Sequence, residues 1–168
     1  SMVDSLRSVT GDLVSGARTL HSHPDAARAL ILVVINRVSF GVVISGSLLL
    51  LRNTFHQSVN ANAALADFVV LSGCAATAAL IAAILTPWVT RKIGIPHWSA
   101  LTVGQASIGM LVFALGATGQ NFPLLILAVF SLGFAGQAVK VCSDTVIQKQ
   151  IPDNCLSRVF ALFDMSVN

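Results

Sequence analysis

Asn36 and Arg37 stand side by side inside an apolar stretch that runs from about Ala29 to Leu51. With a rise of about 1.5 Å per residue, Arg37 would lie some 13 Å in from the start of that stretch. A charge at such depth in lipid costs on the order of 2.5–3.5 kcal/mol to insert. It therefore has to face a cavity or a partner. The functional reading is a substrate or coupling-ion site; the structural one is an ion pair, or a guanidinium snorkelling toward water.

Gln137, Lys140, Asp144 and Gln148 form the second group. Lys140, Asp144 and Gln148 recur every four residues and share one helical face, with Gln137 about one turn earlier. Such a stripe could act as a cytoplasmic gate that makes and breaks contacts between helices. It could equally be the solvated end of a helix. Asp164 follows Arg158 in an apolar stretch that opens near Val159. A carboxylate there could carry a coupling proton, or pair with a basic residue at a helix end.

Other chemistry finds little support. His21, His23 and Asp25 are spaced poorly for one helical face and have no second carboxylate beside them, so no metal site is expected. There is no Gly-x-Ser-x-Gly, no HExxH and no phosphate-binding glycine loop. An intramembrane enzyme would need acids or histidines clustered at one depth, and the apolar stretches offer only Arg37 and Asp67. Neither catalysis nor a cofactor is expected. Cys74, Cys142 and Cys155 lack CxxC spacing and read as small hydrophobes.

The elements that hold these residues follow from composition. Of 168 residues, 55% are hydrophobic and 10% charged, and mean hydropathy is +0.81. A soluble domain carries about 25% charged residues, because its surface must be wetted. Lipid must be part of the solvent. Four stretches reach the roughly 20 residues that a bilayer needs: 29–51, 65–88, 98–118 and 122–141. A fifth stretch, from 157, meets the end of the sequence too soon to span. The expected fold is all-α: a polytopic transmembrane bundle of four spans and the start of a fifth. Residues 1–28 are polar, with Val9, Leu13, Val14 and Leu20 spaced for an amphipathic helix on the cytoplasmic face.

Helix signals refine the picture. His23-Pro24-Asp25 reads as the start of the first span, and Thr86-Pro87 as the end of the second. Asp67 is placed in the first turn of the second span, and Pro123 opens the fourth. The connections are then 52–64, 89–97 and 119–121. Small residues mark the faces where helices should meet: Gly41, Ser45 and Gly46; Ser72, Gly73, Ala75, Ala76 and Ala79; Gly104, Ser107 and Gly109; Gly133 and Gly136.

The net charge of +3 is spread over the connections and not gathered in a patch, so nucleic acid is not an expected partner. One side of the bundle collects Arg7, Arg18, Arg28, Arg91, Lys92, Lys140, Lys149 and Arg158, the other Arg52. By the positive-inside rule the N-terminus is cytoplasmic.

With those residues in view, the sequence resembles the C-terminal half of a major facilitator superfamily transporter of the bacterial permease or drug-efflux kind. Gly16-Ala17-Arg18, Asn36-Arg37-Val38-Ser39-Phe40-Gly41 and Leu48-Leu49-Leu50-Leu51-Arg52-Asn53 resemble the approach into the seventh helix of such proteins. Thr86-Pro87-Trp88-Val89-Thr90-Arg91-Lys92-Ile93-Gly94 sits where the family keeps a basic loop between its eighth and ninth helices. Asp144-Thr145-Val146-Ile147-Gln148, Ile151-Pro152-Asp153 and Ser157-Arg158-Val159-Phe160 resemble the connection between the tenth and eleventh.

The resemblance implies alternating access to a site near the midplane, with the lipid bilayer, a small-molecule substrate and the helices of the rest of the transporter as partners. It implies that the first and fourth spans line the central cavity, with Asn36, Arg37 and Gln137 as cavity residues. Arg91, Lys92, Lys140, Asp144, Gln148, Arg158 and Asp164 become cytoplasmic gate residues. Proton coupling and a bacterial inner-membrane location follow by analogy. A chain of this kind without its opposing half should not transport alone and could self-associate through its open face. The rival reading is a non-transporting four-helix scaffold or interaction subunit.

Overall fold

The computed structural model of the chain describes residues 24–55 and 61–150. Most of the segment expected over 1–28 lies outside them, as do the stretch from 157, Arg158 and Asp164. The described residues are helical apart from short breaks at 94 and 119–121. Helix α1 is Pro24–Leu50 and runs into a π-helical turn, Leu51–Phe55; α2 is Ala61–Ile93, α3 Ile95–Thr118 and α4 Phe122–Gln150. All four are long and apolar enough to cross a membrane.

Local chemistry explains most of the boundaries. Pro24 opens α1 with Asp25 in its first turn: proline has no N–H to leave unsatisfied there, and a carboxylate suits the positive end of the helix dipole. Arg28 Nη1 lies 3.4 Å from Asp25 Oδ1, but both side chains are exposed and the pair contributes little. Between α3 and α4 the chain reverses over Gly119, Gln120 and Asn121. Gln120 takes a left-handed φ of 49°, the Gly119 N–H donates to the Leu115 carbonyl at 2.9 Å, and Asn121 Oδ1 accepts from the Leu124 N–H at 3.3 Å. Asn121 thus caps the start of α4.

Three expectations need correction. Thr86-Pro87 does not end α2, and 89–97 is not a loop: the helix runs through Pro87 to Ile93. The Thr90 hydroxyl donates to the Thr86 carbonyl at 2.8 Å and reaches that of Pro87 at 3.3 Å, in the turn that follows the proline. Membrane helices tolerate an internal proline where packing and local adjustment make up for the lost hydrogen bond. The break falls instead on Gly94, whose φ of 85° suits glycine and few other residues. Asp67, finally, lies beyond the first turn, because α2 begins at Ala61.

The described residues divide into two compact units, 24–35 with 142–150, and 36–55 with 61–141. In the first, Ala26, Ala29, Val33, Cys142 and Ile147 are buried, and the Ser143 hydroxyl donates to the Ala29 carbonyl at 3.1 Å. In the second, Val43, Leu51, Leu71, Leu125, Val129 and Leu132 form a core ringed by Phe40, Phe55, Phe68, Phe113 and Phe122.

Close backbone approach decides which glycines matter. A Cβ on Gly133 would lie 2.7 Å from the Ala75 carbonyl oxygen and 3.1 Å from its Cα, so α2 and α4 cross backbone to backbone. Gly109 faces Ser131 and Leu132 of α4, and the Ser131 hydroxyl donates to the Gln105 carbonyl at 3.3 Å. Gly41, Gly73 and Gly104, expected at helix contacts, have nothing within 4 Å of a built Cβ. Those faces are not covered by the described residues.

A polar tie secures α2 to α3. Trp98 Nε1 donates to the fully buried Thr86 hydroxyl at 3.2 Å, and the Trp98 ring meets Phe134 edge-on at 6.2 Å. Trp98→Phe keeps the ring but removes the donor. It is expected to cost about 1–2 kcal/mol of unfolding free energy in detergent. A further Thr86→Val change should add less than it costs alone, because the two residues share one bond.

Candidate functional site

Helix α1 presents two neighbouring polar residues in opposite senses. Asn36 is buried, with Oδ1 3.0 Å from where a Gly136 Cβ would sit on α4. The absent side chain at Gly136 is what lets the carboxamide approach the α4 backbone. Arg37, the next residue, is exposed. It is also the central residue of the 27-residue α1, about 20 Å from either end.

The structure thus brings Asn36 against α4 at Gly136, and Gln137, the next residue of α4, is half-buried. Asn36, Arg37 and Gln137 all belong to the unit 36–141. Two of the three are neighbours in sequence; the third comes from α4, a hundred residues on. The buried amide faces α4, while the neighbouring cation is exposed. Buried polar groups of this kind are retained only with partners.

The gate candidates are placed less tightly. Lys140, Asp144 and Gln148 follow one another along the unbroken α4, Lys140 and Asp144 half-buried and Gln148 exposed. Arg91 and Lys92 are exposed in the last turn of α2. Lys92 Nζ sits 3.8 Å from the centre of the Trp88 ring. This cation–π contact escaped the sequence reading, although the Trp88–Lys92 spacing of four was a usable signal. The Trp98–Thr86 tie gave no such signal, because it spans the break at Gly94. Among the described residues, no group of three His, Cys, Asp or Glu could hold a metal ion.

Two relatives resemble the chain over almost its whole length. An uncharacterized MFS-type transporter of Mycobacterium bovis is 31% identical over 156 residues, which is 93% of this chain and 34% of the relative. One of the same description from Mycobacterium tuberculosis matches to the same extent. The chain therefore spans about a third of the length of the curated relatives it matches. No family model matches it, and no solved structure does.

Proposed function

We propose, from its 31% identity to MFS-type transporters over 93% of its length, that the chain supplies membrane helices to a secondary transporter that moves a small molecule by alternating access. The observation that carries this reading is the 31% identity, which extends over 93% of the chain and is not confined to one motif. The four apolar helices make the chain an integral membrane protein.

Within the whole protein, Asn36, Arg37 and Gln137 line the solute path, and transport is coupled to protons. Arg37 supports the cavity role: a cation at the centre of α1 has to be matched by solvent, solute or a counter-charge. Lys140, Asp144 and Gln148 supply a polar gate along α4, with the N-terminus of the chain on the cytoplasmic side. Rocking of two helical halves about a midplane site is how such folds alternate.

The test uses inverted membrane vesicles that carry the whole protein containing this chain. Vesicles are acidified inside, and a pH-sensitive dye reports proton movement as a panel of small organic cations, anions and neutral solutes is added. At least one compound class is expected to drive proton efflux in these vesicles and not in vesicles lacking the protein. Solute flux without proton movement would remove the coupling and keep the transporter. A well-folded protein that moves none of the panel would favour the scaffold reading.

A further inference from the structure

Exposed residues on α2 are ordered by depth. Leu80, Ile84, Trp88 and Lys92 follow at intervals of four and share one face. Leu80 is 67% exposed, Ile84 76% and Trp88 58%, and Lys92 is exposed beyond them. Two aliphatic side chains, an indole and an ammonium repeat the bilayer's own sequence of acyl chain, interface and headgroup.

The sequence on either side of this helix end carries no acid. No Asp or Glu occurs from residue 68 to 143. In the unit 36–141 the acidic side chain is Asp67, against Arg37, Arg52, Arg91, Lys92 and Lys140. Asp67 lies near the other end of α2, about 37 Å from Lys92 along the helix. Lys92 instead rests on the Trp88 ring at 3.8 Å. A cation held on a ring face still has N–H groups directed elsewhere, each able to donate to an anionic oxygen.

We propose that the Trp88–Lys92 pair, with Arg91 beside it, binds the headgroup phosphate of an anionic phospholipid whose acyl chain lies along Ile84 and Leu80. The indole sits at the interface and fixes the ammonium at phosphate depth. Arg91 supplies the second positive charge that distinguishes an anionic headgroup from a zwitterionic one. The site lies on the exposed side of α2 and assigns Arg91 and Lys92 to lipid in place of the gate.

Trp88 reports on its own lipid. The chain has two tryptophans, and Trp98→Phe leaves Trp88 as the sole fluorophore. The full chain bearing that substitution goes into nanodiscs containing phosphatidylglycerol or phosphatidylcholine brominated at shallow acyl carbons, at equal mole fraction. Brominated phosphatidylglycerol is expected to be about fivefold enriched at Trp88, the factor expected for one cation near an anionic surface. Arg91→Gln with Lys92→Gln should remove the preference. Equal quenching by the two lipids overturns the proposal, and so does a preference that survives loss of both cations. Quenching by neither means that protein covers the face, which overturns it as well. Native mass spectrometry of the unsubstituted chain gives a second readout that does not depend on Trp98→Phe. Phosphatidylglycerol should be retained over phosphatidylcholine by a similar factor, and indifferent retention counts against the site. Neither readout changes if the transport reading fails.

Discussion

Arg37→Leu is expected to reduce initial transport rates by the whole protein more than tenfold while making α1 easier to insert. The two effects have one origin. An arginine at the centre of a membrane helix costs on the order of 2.5–3.5 kcal/mol on the insertion scale, whereas leucine at that depth is favourable. Arg37 occupies the central position of α1, so its removal should favour insertion by about 3 kcal/mol. A charge that costs this much and does nothing would be a pure liability. Initial rates in vesicles measure the first effect, and glycosylation mapping of α1 measures the second. Arg37→Lys, which keeps the charge and loses the planar fork, should recover part of the transport. Unchanged transport in Arg37→Leu, with improved insertion, would remove Arg37 from the solute path.

The second large effect concerns Gly133. In an open helix, alanine is favoured over glycine by about 1 kcal/mol. At Gly133 the sign should reverse. The built Cβ meets the Ala75 carbonyl oxygen at 2.7 Å and its Cα at 3.1 Å, and backbone atoms of a packed helix cannot swing aside as a side chain can. α2 and α4 must separate, and the contacts around Ala75 loosen with them. Gly133→Ala is expected to lower stability by about 2–3 kcal/mol. Gly73→Ala, with open space around it, should be neutral or stabilising by up to about 1 kcal/mol. Unfolding each variant in a denaturing-detergent titration gives the comparison. Equal midpoints for the two variants would show that the close crossing at Gly133 is absent.

The four spans are legible in the sequence because lipid imposes one simple demand: about 20 apolar residues without a break. Pro24 and Asp25 mark the start of α1 by chemistry that holds in water and membrane alike. Pro87 misled because stop signals are calibrated on helices in water. In a packed membrane helix one lost backbone hydrogen bond is tolerated, and the helix continues to Ile93. Gly94, whose φ of 85° excludes most residues, carries the break.

Residue type alone could not sort the glycines. A small side chain permits close approach but does not name the partner. Gly133 and Gly136 find α2 and α1, while Gly41, Gly73 and Gly104 find nothing among the described residues. The candidate site divides in the same way. Arg37 stands out in sequence because its cost is intrinsic to depth. The burial of Asn36 against Gly136 is invisible there, since it depends on how two helices a hundred residues apart register against each other.

Gly94 also constrains how the protein is made. One residue separates Ile93 at the end of α2 from Ile95 at the start of α3, so the facing helix ends stay within a few ångströms of each other. No slack exists for a ribosome-bound chain to place one helix across the bilayer and orient the next independently. The direction in which α2 crosses therefore dictates that of α3.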